Sequence, residues 1–147
     1  MSLENQLKTD MKNALKAGDK NKLNTLRSVV SQVKDEWIKK RADLTDQEVI
    51  SVLLRALKSR KDSVEMYKQG NRADLVDKEQ NEINVIQSYL PEQLSESDIR
   101  KEIASIVESV GASDIKDIGK VMGPAMAKLK GKADGKLVQE IAKSLLS

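Results

Sequence analysis

The chain has 147 residues, 26 basic and 23 acidic side chains for a net charge of +3, and 39% hydrophobic against 33% charged residues, a size that suits one domain or a medium domain joined to a small one. It holds neither cysteine nor histidine, which excludes disulfides, thiolate or imidazole metal sites and a Ser-His-Asp triad within this chain. No apolar run approaches the ~20 residues that cross a bilayer and the start, MSLENQLKTD, lacks a signal-peptide core, so a cytoplasmic protein without membrane contact is expected, with no cofactor, no metal and no catalytic set.

Phenylalanine is absent, and Trp37, Tyr67 and Tyr89 are the aromatic residues. Strands lean on aromatic and β-branched side chains, so the bias is towards helix. Leu3, Leu7, Met11 and Leu15 fall at helical spacing and predict a first helix that Gly18 ends, with Asp19 capping the next. Along the second, Leu23, Leu26, Val30, Val33 and Trp37 step by three and four, a seam suited to an antiparallel helical bundle, with Trp37 expected in the core. Thr45 and Glu48 form a capping box for a third helix, whose stripe is Ile50, Leu53, Leu57, Val64 and Tyr67. Arg60 interrupts that stripe. Gly70 closes the helix and a fourth begins near Arg72 to Asp74, carrying Val76, Ile83, Ile86 and Leu90, with Glu79 breaking its pattern in the same way. If these two helices fold back on each other about residue 71, Arg60 lies opposite Glu79 and Glu82, which predicts a structural ion pair that fixes register. The other reading makes Arg60 half of a polar site with Lys61, Asp62, Arg72 and Asp74.

Proline disfavours helix at the residue before it, so Leu90-Pro91 ends the long-helix section. Ser95 with Asp98 caps a helix bearing Ile99, Ile103, Ile106 and Val110, which Gly111 closes. The stretch from Ser113 to Lys136 follows. As a helix from about Ile115 to Leu129 it places Ile115, Ile118, Met122, Ala125, Met126 and Leu129 on a core face, and Lys116, Lys120, Gly123, Ala127 and Lys130 opposite. Pro124 falls mid-helix, a defect of roughly 3 kcal/mol unless the helix bends or restarts there. Gly131 is placed to stop the helix in a left-handed conformation, and Asp134 to cap a final helix with Leu137 or Val138, Ile141 and Leu145. The reading is all-α: a four-helix N-terminal domain over residues 1–91 and a small three-helix domain over 92–147.

Charge is uneven along this chain. Residues 116–136 hold six bases against two acids. Lys128, Lys130, Lys132 and Lys136 stand close to the free amides that open the last helix, where an anion is favoured. The bland alternative is a solvated basic face whose small residues pack on a neighbouring helix.

The runs LRSVVSQVKDEWIKKRADLTDQEV, RKDSVEMYKQGNRADLVDKEQNEINVIQSYLPEQLSESDI and GASDIKDIGKVMGPAMAKLKGKADGKLV resemble the YqeY family, small bacterial relatives of the tail of GatB, a subunit of glutamyl/aspartyl-tRNA amidotransferase. YLPEQLS, GKVMG and KGKADG carry the resemblance, which covers nearly the whole chain. It implies a helical domain joined to a three-helix tail that contacts tRNA, while the carbon-nitrogen ligase chemistry belongs to a GatB domain absent here. The function expected is a non-catalytic tRNA-binding or tRNA-associated module that holds tRNA or other structured RNA weakly through Lys116, Lys120, Gly123, Lys128, Lys130, Lys132 and Lys136. The alternatives are a module docking an acidic protein partner on the same lysines and, behind it, an amidotransferase in its own right.

Overall fold

The computed structural model describes residues 2–147. Seven α-helices run in order: α1 Leu3–Ala17, α2 Lys20–Lys40, α3 Asp46–Gln69, α4 Ala73–Gln87, α5 Glu96–Val110, α6 Ile118–Leu129 and α7 Gly135–Leu146. A 3-10 turn, Ile115–Asp117, leads into α6, and no strand occurs among the described residues. The protein is all-α. The backbone packs as two compact units, one ending at Leu90 and the other running from Pro91 to Ser147.

The helix ends follow local chemistry. Gly18 and Gly111 close α1 and α5 at φ +70° and +68°, a region that costs a residue with a Cβ about 1 kcal/mol or more. The Asp19 carboxylate accepts the Lys22 amide to start α2, Ser95 Oγ accepts the Asp98 amide to start α5, and Thr45 and Glu48 exchange both capping-box bonds at the head of α3. Such caps contribute about 1 kcal/mol each by satisfying amides that the helix itself leaves open.

In the first unit α1 pairs with α2 and α3 with α4, and α2 packs against the second pair. The core gathers Leu7, Leu26, Val29, Val33, Val49, Val52, Leu53, Ala56, Leu57, Val64, Ile83 and Ile86, with Val30 and Tyr89 half-buried against it. Leu23, Leu26 and Val33 of the predicted seam are buried, and Val29, which the seam left out, joins them while Val30 packs at the edge of the core. Trp37, expected in the core, is 43% exposed, and Leu15 is 58% exposed. Both lie at the ends of their helices, where fewer neighbours remain to cover them. The Tyr89 hydroxyl donates to Asp10 Oδ2 at 2.6 Å, tying the end of this unit back to α1. Burial first, and then the bond to the Asp10 carboxylate, pushes the phenol far above its ordinary range.

In the second unit α5, α6 and α7 surround Ile99, Ile103, Ile106, Val121, Ala125, Leu129, Val138, Ile141, Ala142 and Leu146. The segment from Pro91 to Ser95 joins them through two bonds to the α6–α7 corner: the Leu94 amide donates to the Lys132 carbonyl at 3.0 Å and Gln93 Nε2 to the Gly131 carbonyl at 2.7 Å. Gly131 sits at φ +77°. The buried face of α6 is Val121, Ala125 and Leu129, flanked by half-buried Ile118 and Met122. Ile115 and Met126, assigned to the core from the sequence, are 45% and 39% exposed. The 3-10 turn accounts for Ile115, since three residues per turn rotate it off the stripe that 3.6 per turn would extend. Helix α6 runs through Pro124. The ring lies on the exposed face, where water can take the Lys120 carbonyl that loses its amide partner.

Candidate functional site

Of the six lysines singled out in the second unit, two have a carboxylate partner, Lys120 and Lys128. All six side chains are exposed. Lys120 is 3.5 Å from the Asp117 carboxylate and Lys128 pairs with Glu102 of α5. Asp117 is held below the usual carboxylate range chiefly by the Ser113 amide, which donates to it, with Lys120 adding attraction. Lys116 precedes this pair in the 3-10 turn, Lys130 and Lys132 lie in the α6–α7 corner and Lys136 in the first turn of α7. Asp134 takes the N-cap position of α7 without the side-chain bond its type predicts. Gly123 faces open space on the outer side of α6: nothing lies within 4 Å of where a Cβ would stand.

The Arg60 cluster lies in the first unit. Its Nη2 approaches Glu82 at 3.7 Å and donates to Ser28 Oγ at 3.2 Å, while Nη1 donates to the Ala56 carbonyl at 3.1 Å. Arg60 and Glu82 side chains are 12% and 19% exposed, and Arg60 Nε is buried without a partner. Glu79 stands in the same field. Burial, and then the neighbouring Glu82 carboxylate, raises its pKa, while Arg60 opposes the rise. The residues around the turn stay apart from this cluster: Arg72 makes a two-bond pair with Asp74 at 3.1 and 3.2 Å, and Lys61 and Asp62 are solvated. Among the described residues no group of three or more acidic side chains is placed to hold a metal ion.

A third feature was not anticipated from the sequence. A groove of about 720 Å³ opens between the start of α1, the C-terminal half of α2 and the loop before α3. Val30, Lys34 and Trp37 line it from α2, where steps of four and three put them on one face. The indole Nε1 donates to Asp43 Oδ1 at 3.2 Å. Asp43 is itself fixed, because Lys40 Nζ donates to its carbonyl at 2.8 Å and pairs with Glu48 at 2.6 Å. At the other rim Glu4 and Lys8 neutralise each other at 3.1 Å. The signal available in the sequence was a lone tryptophan at the last turn of an apolar stripe, just ahead of a capping box.

The chain matches the family described as Yqey-like protein over residues 4–146. It belongs to the YqeY family. Among curated relatives, one from Pyrenophora tritici-repentis is 32% identical over 130 residues, covering 87% of this chain and 71% of the relative. One from Lachancea thermotolerans is 31% identical, covering 74% of this chain and 59% of its own length, and one from Saccharomyces cerevisiae strain YJM789 is 32% identical, covering 71% and 58%. All three are named "Altered inheritance of mitochondria protein 41, mitochondrial". The alignment thus spans 58% to 71% of these relatives. No catalytic activity is indicated by these names.

These findings correct three expectations. The tRNA-associated role, with its amidotransferase alternative, is overturned: the relatives carry no tRNA or amidotransferase in their names, and are named for inheritance of mitochondria. The bacterial and tRNA amidotransferase attributes fall with it, because the relatives are fungal. The cytoplasmic expectation is likewise corrected, the relatives being named as mitochondrial proteins.

Proposed function

We propose that this chain is a non-catalytic accessory protein that works through a protein partner, in the process for which its fungal relatives are named, the inheritance of mitochondria. The observation that carries this reading is the alignment with the Pyrenophora relative across 87% of the chain. The absence of turnover is supported by composition, since without histidine or cysteine the chain lacks the side chains that most often act as general base or nucleophile near neutral pH. Thr25, the one buried polar side chain among the described residues, spends its hydroxyl on the Asn21 carbonyl at 3.0 Å. Arg60, 12% exposed, faces Glu82.

The test is complementation. A Saccharomyces strain lacking its own relative receives this chain fused to a mitochondrial leader, and transmission of mitochondria to daughter cells is scored. Restored inheritance is the expected result; a correctly delivered, folded protein that leaves inheritance defective overturns the reading. Amide replacements of Glu82 and Glu102, one at a time, are expected to keep rescue, and loss of rescue by one of them in a folded protein would argue for a reaction.

A further inference from the structure

Groups of opposite character converge on Trp37 without being consumed by one another. The indole is 43% exposed, yet its orientation is set by the bond to Asp43 and by the loop that Lys40 and Glu48 hold in place. An aromatic face held in one orientation loses little entropy when something packs on it. Val30 and Leu44, both half-buried, extend this apolar surface. Glu4 and Lys8 are already paired. Lys34 has no ion pair among the described residues, and Asp43 uses one carboxylate oxygen on the indole, leaving the other open. The volume, about 720 Å³, lies in the range of roughly 300–1,000 Å³ typical of clefts that bury most of a small ligand.

From this we infer that the groove binds the carboxyl-terminal end of a peptide whose last side chain is apolar. The side chain lies on the Trp37, Val30 and Leu44 surface, the terminal carboxylate meets the Lys34 ammonium, and the free oxygen of Asp43 accepts a peptide amide. A chain end fits better than an internal acidic residue. Lys34 precedes Trp37 by three residues, about 4.5 Å along the axis, whereas side chains on one face of an extended segment are about 6.8 Å apart. Only a terminal residue carries its carboxylate directly beside its own apolar side chain.

Trp37 is the sole tryptophan, so its emission reports this groove directly. The full chain is titrated with acetyl-Ala-Leu-Leu as the free acid, with the same peptide as its carboxamide, and with free leucine. The expected result is a saturable change in Trp37 emission with the acid, binding at least tenfold weaker for the amide, and a similar loss for the acid on Lys34→Gln, an exposed position where the substitution leaves the helix intact. Equal binding of acid and amide, an unaffected Lys34→Gln, or no saturable change at millimolar peptide overturns the proposal. Free leucine binding as tightly as the peptide overturns it too, in favour of a small-molecule site. The titration is independent of the complementation experiment, and neither outcome decides the other.

Discussion

Arg60 occupies a place where the α3 stripe calls for an apolar side chain, and the position was legible from the sequence because a charge that breaks a period draws attention to itself. The structure surrounds it with Ser28, Ala56 and Glu82, leaving Glu79 as a second carboxylate near one guanidinium. Arg60→Met removes the cation and leaves both acids partly buried, so it is expected to cost about 1–3 kcal/mol in urea unfolding near pH 7, with a smaller loss near pH 4. Glu79→Gln is expected to act in the opposite direction. Since the Glu79 pKa is raised on folding, its favourable contribution is complete below the ordinary glutamate range of about 4.3 and is lost as pH rises through the folded value. Glutamine mimics the protonated form, so Glu79→Gln should unfold at higher urea than the parent at pH 7 and at the same urea near pH 4; a lower midpoint at pH 7 would show that Arg60 attraction outweighs burial. Trp37 was not legible in this way. Its spacing continues an apolar stripe, and periodicity does not reveal that the neighbouring helices have run out before they cover it.

Among the elements, the caps were the most readable feature, because Thr45 with Glu48, Ser95 with Asp98, and Gly18 and Gly111 act on bonds within three or four residues. The register of α6 was less so. Its buried face depends on where the 3-10 turn ends, and nothing in IKDIGK marks that change of pitch. The outer side of α6 carries Gly119 and Gly123, both exposed and both with open space where a Cβ would stand. Glycine in a helix interior costs roughly 0.5–1 kcal/mol relative to alanine, and no neighbour opposes the added methyl. Gly119→Ala and Gly123→Ala are therefore each expected to raise the urea midpoint of the folded chain, by an amount near that figure, with additive effect in the double variant. Destabilisation by either would mean that the backbone there takes a conformation or a neighbour this structure does not contain.

At the scale of the whole molecule, the two cores share no side chain. Every residue of one cluster falls between Leu3 and Leu90 and every residue of the other between Leu94 and Leu146. The hydrogen bonds of the Pro91–Ser95 segment, to Gly131 and Lys132, lie within the second unit as well. A segment that contains its own apolar core and its own helix caps has what cooperative folding requires. We therefore propose that residues 1–90 and 91–147 are separate folding units, and predict that each, expressed alone, gives a helical circular dichroism spectrum and a cooperative thermal transition. The shorter fragment should melt lower, because a domain of about 60 residues buries only about 60% of the surface that its unfolded chain exposes. In the intact chain, calorimetry should then give a measured unfolding enthalpy larger than the van't Hoff value, as two transitions under one trace require. If the fragment 91–147 is unfolded by itself while the intact chain melts in a single two-state step, the separate cores are being held by cooperation between the halves, and the chain folds as one domain.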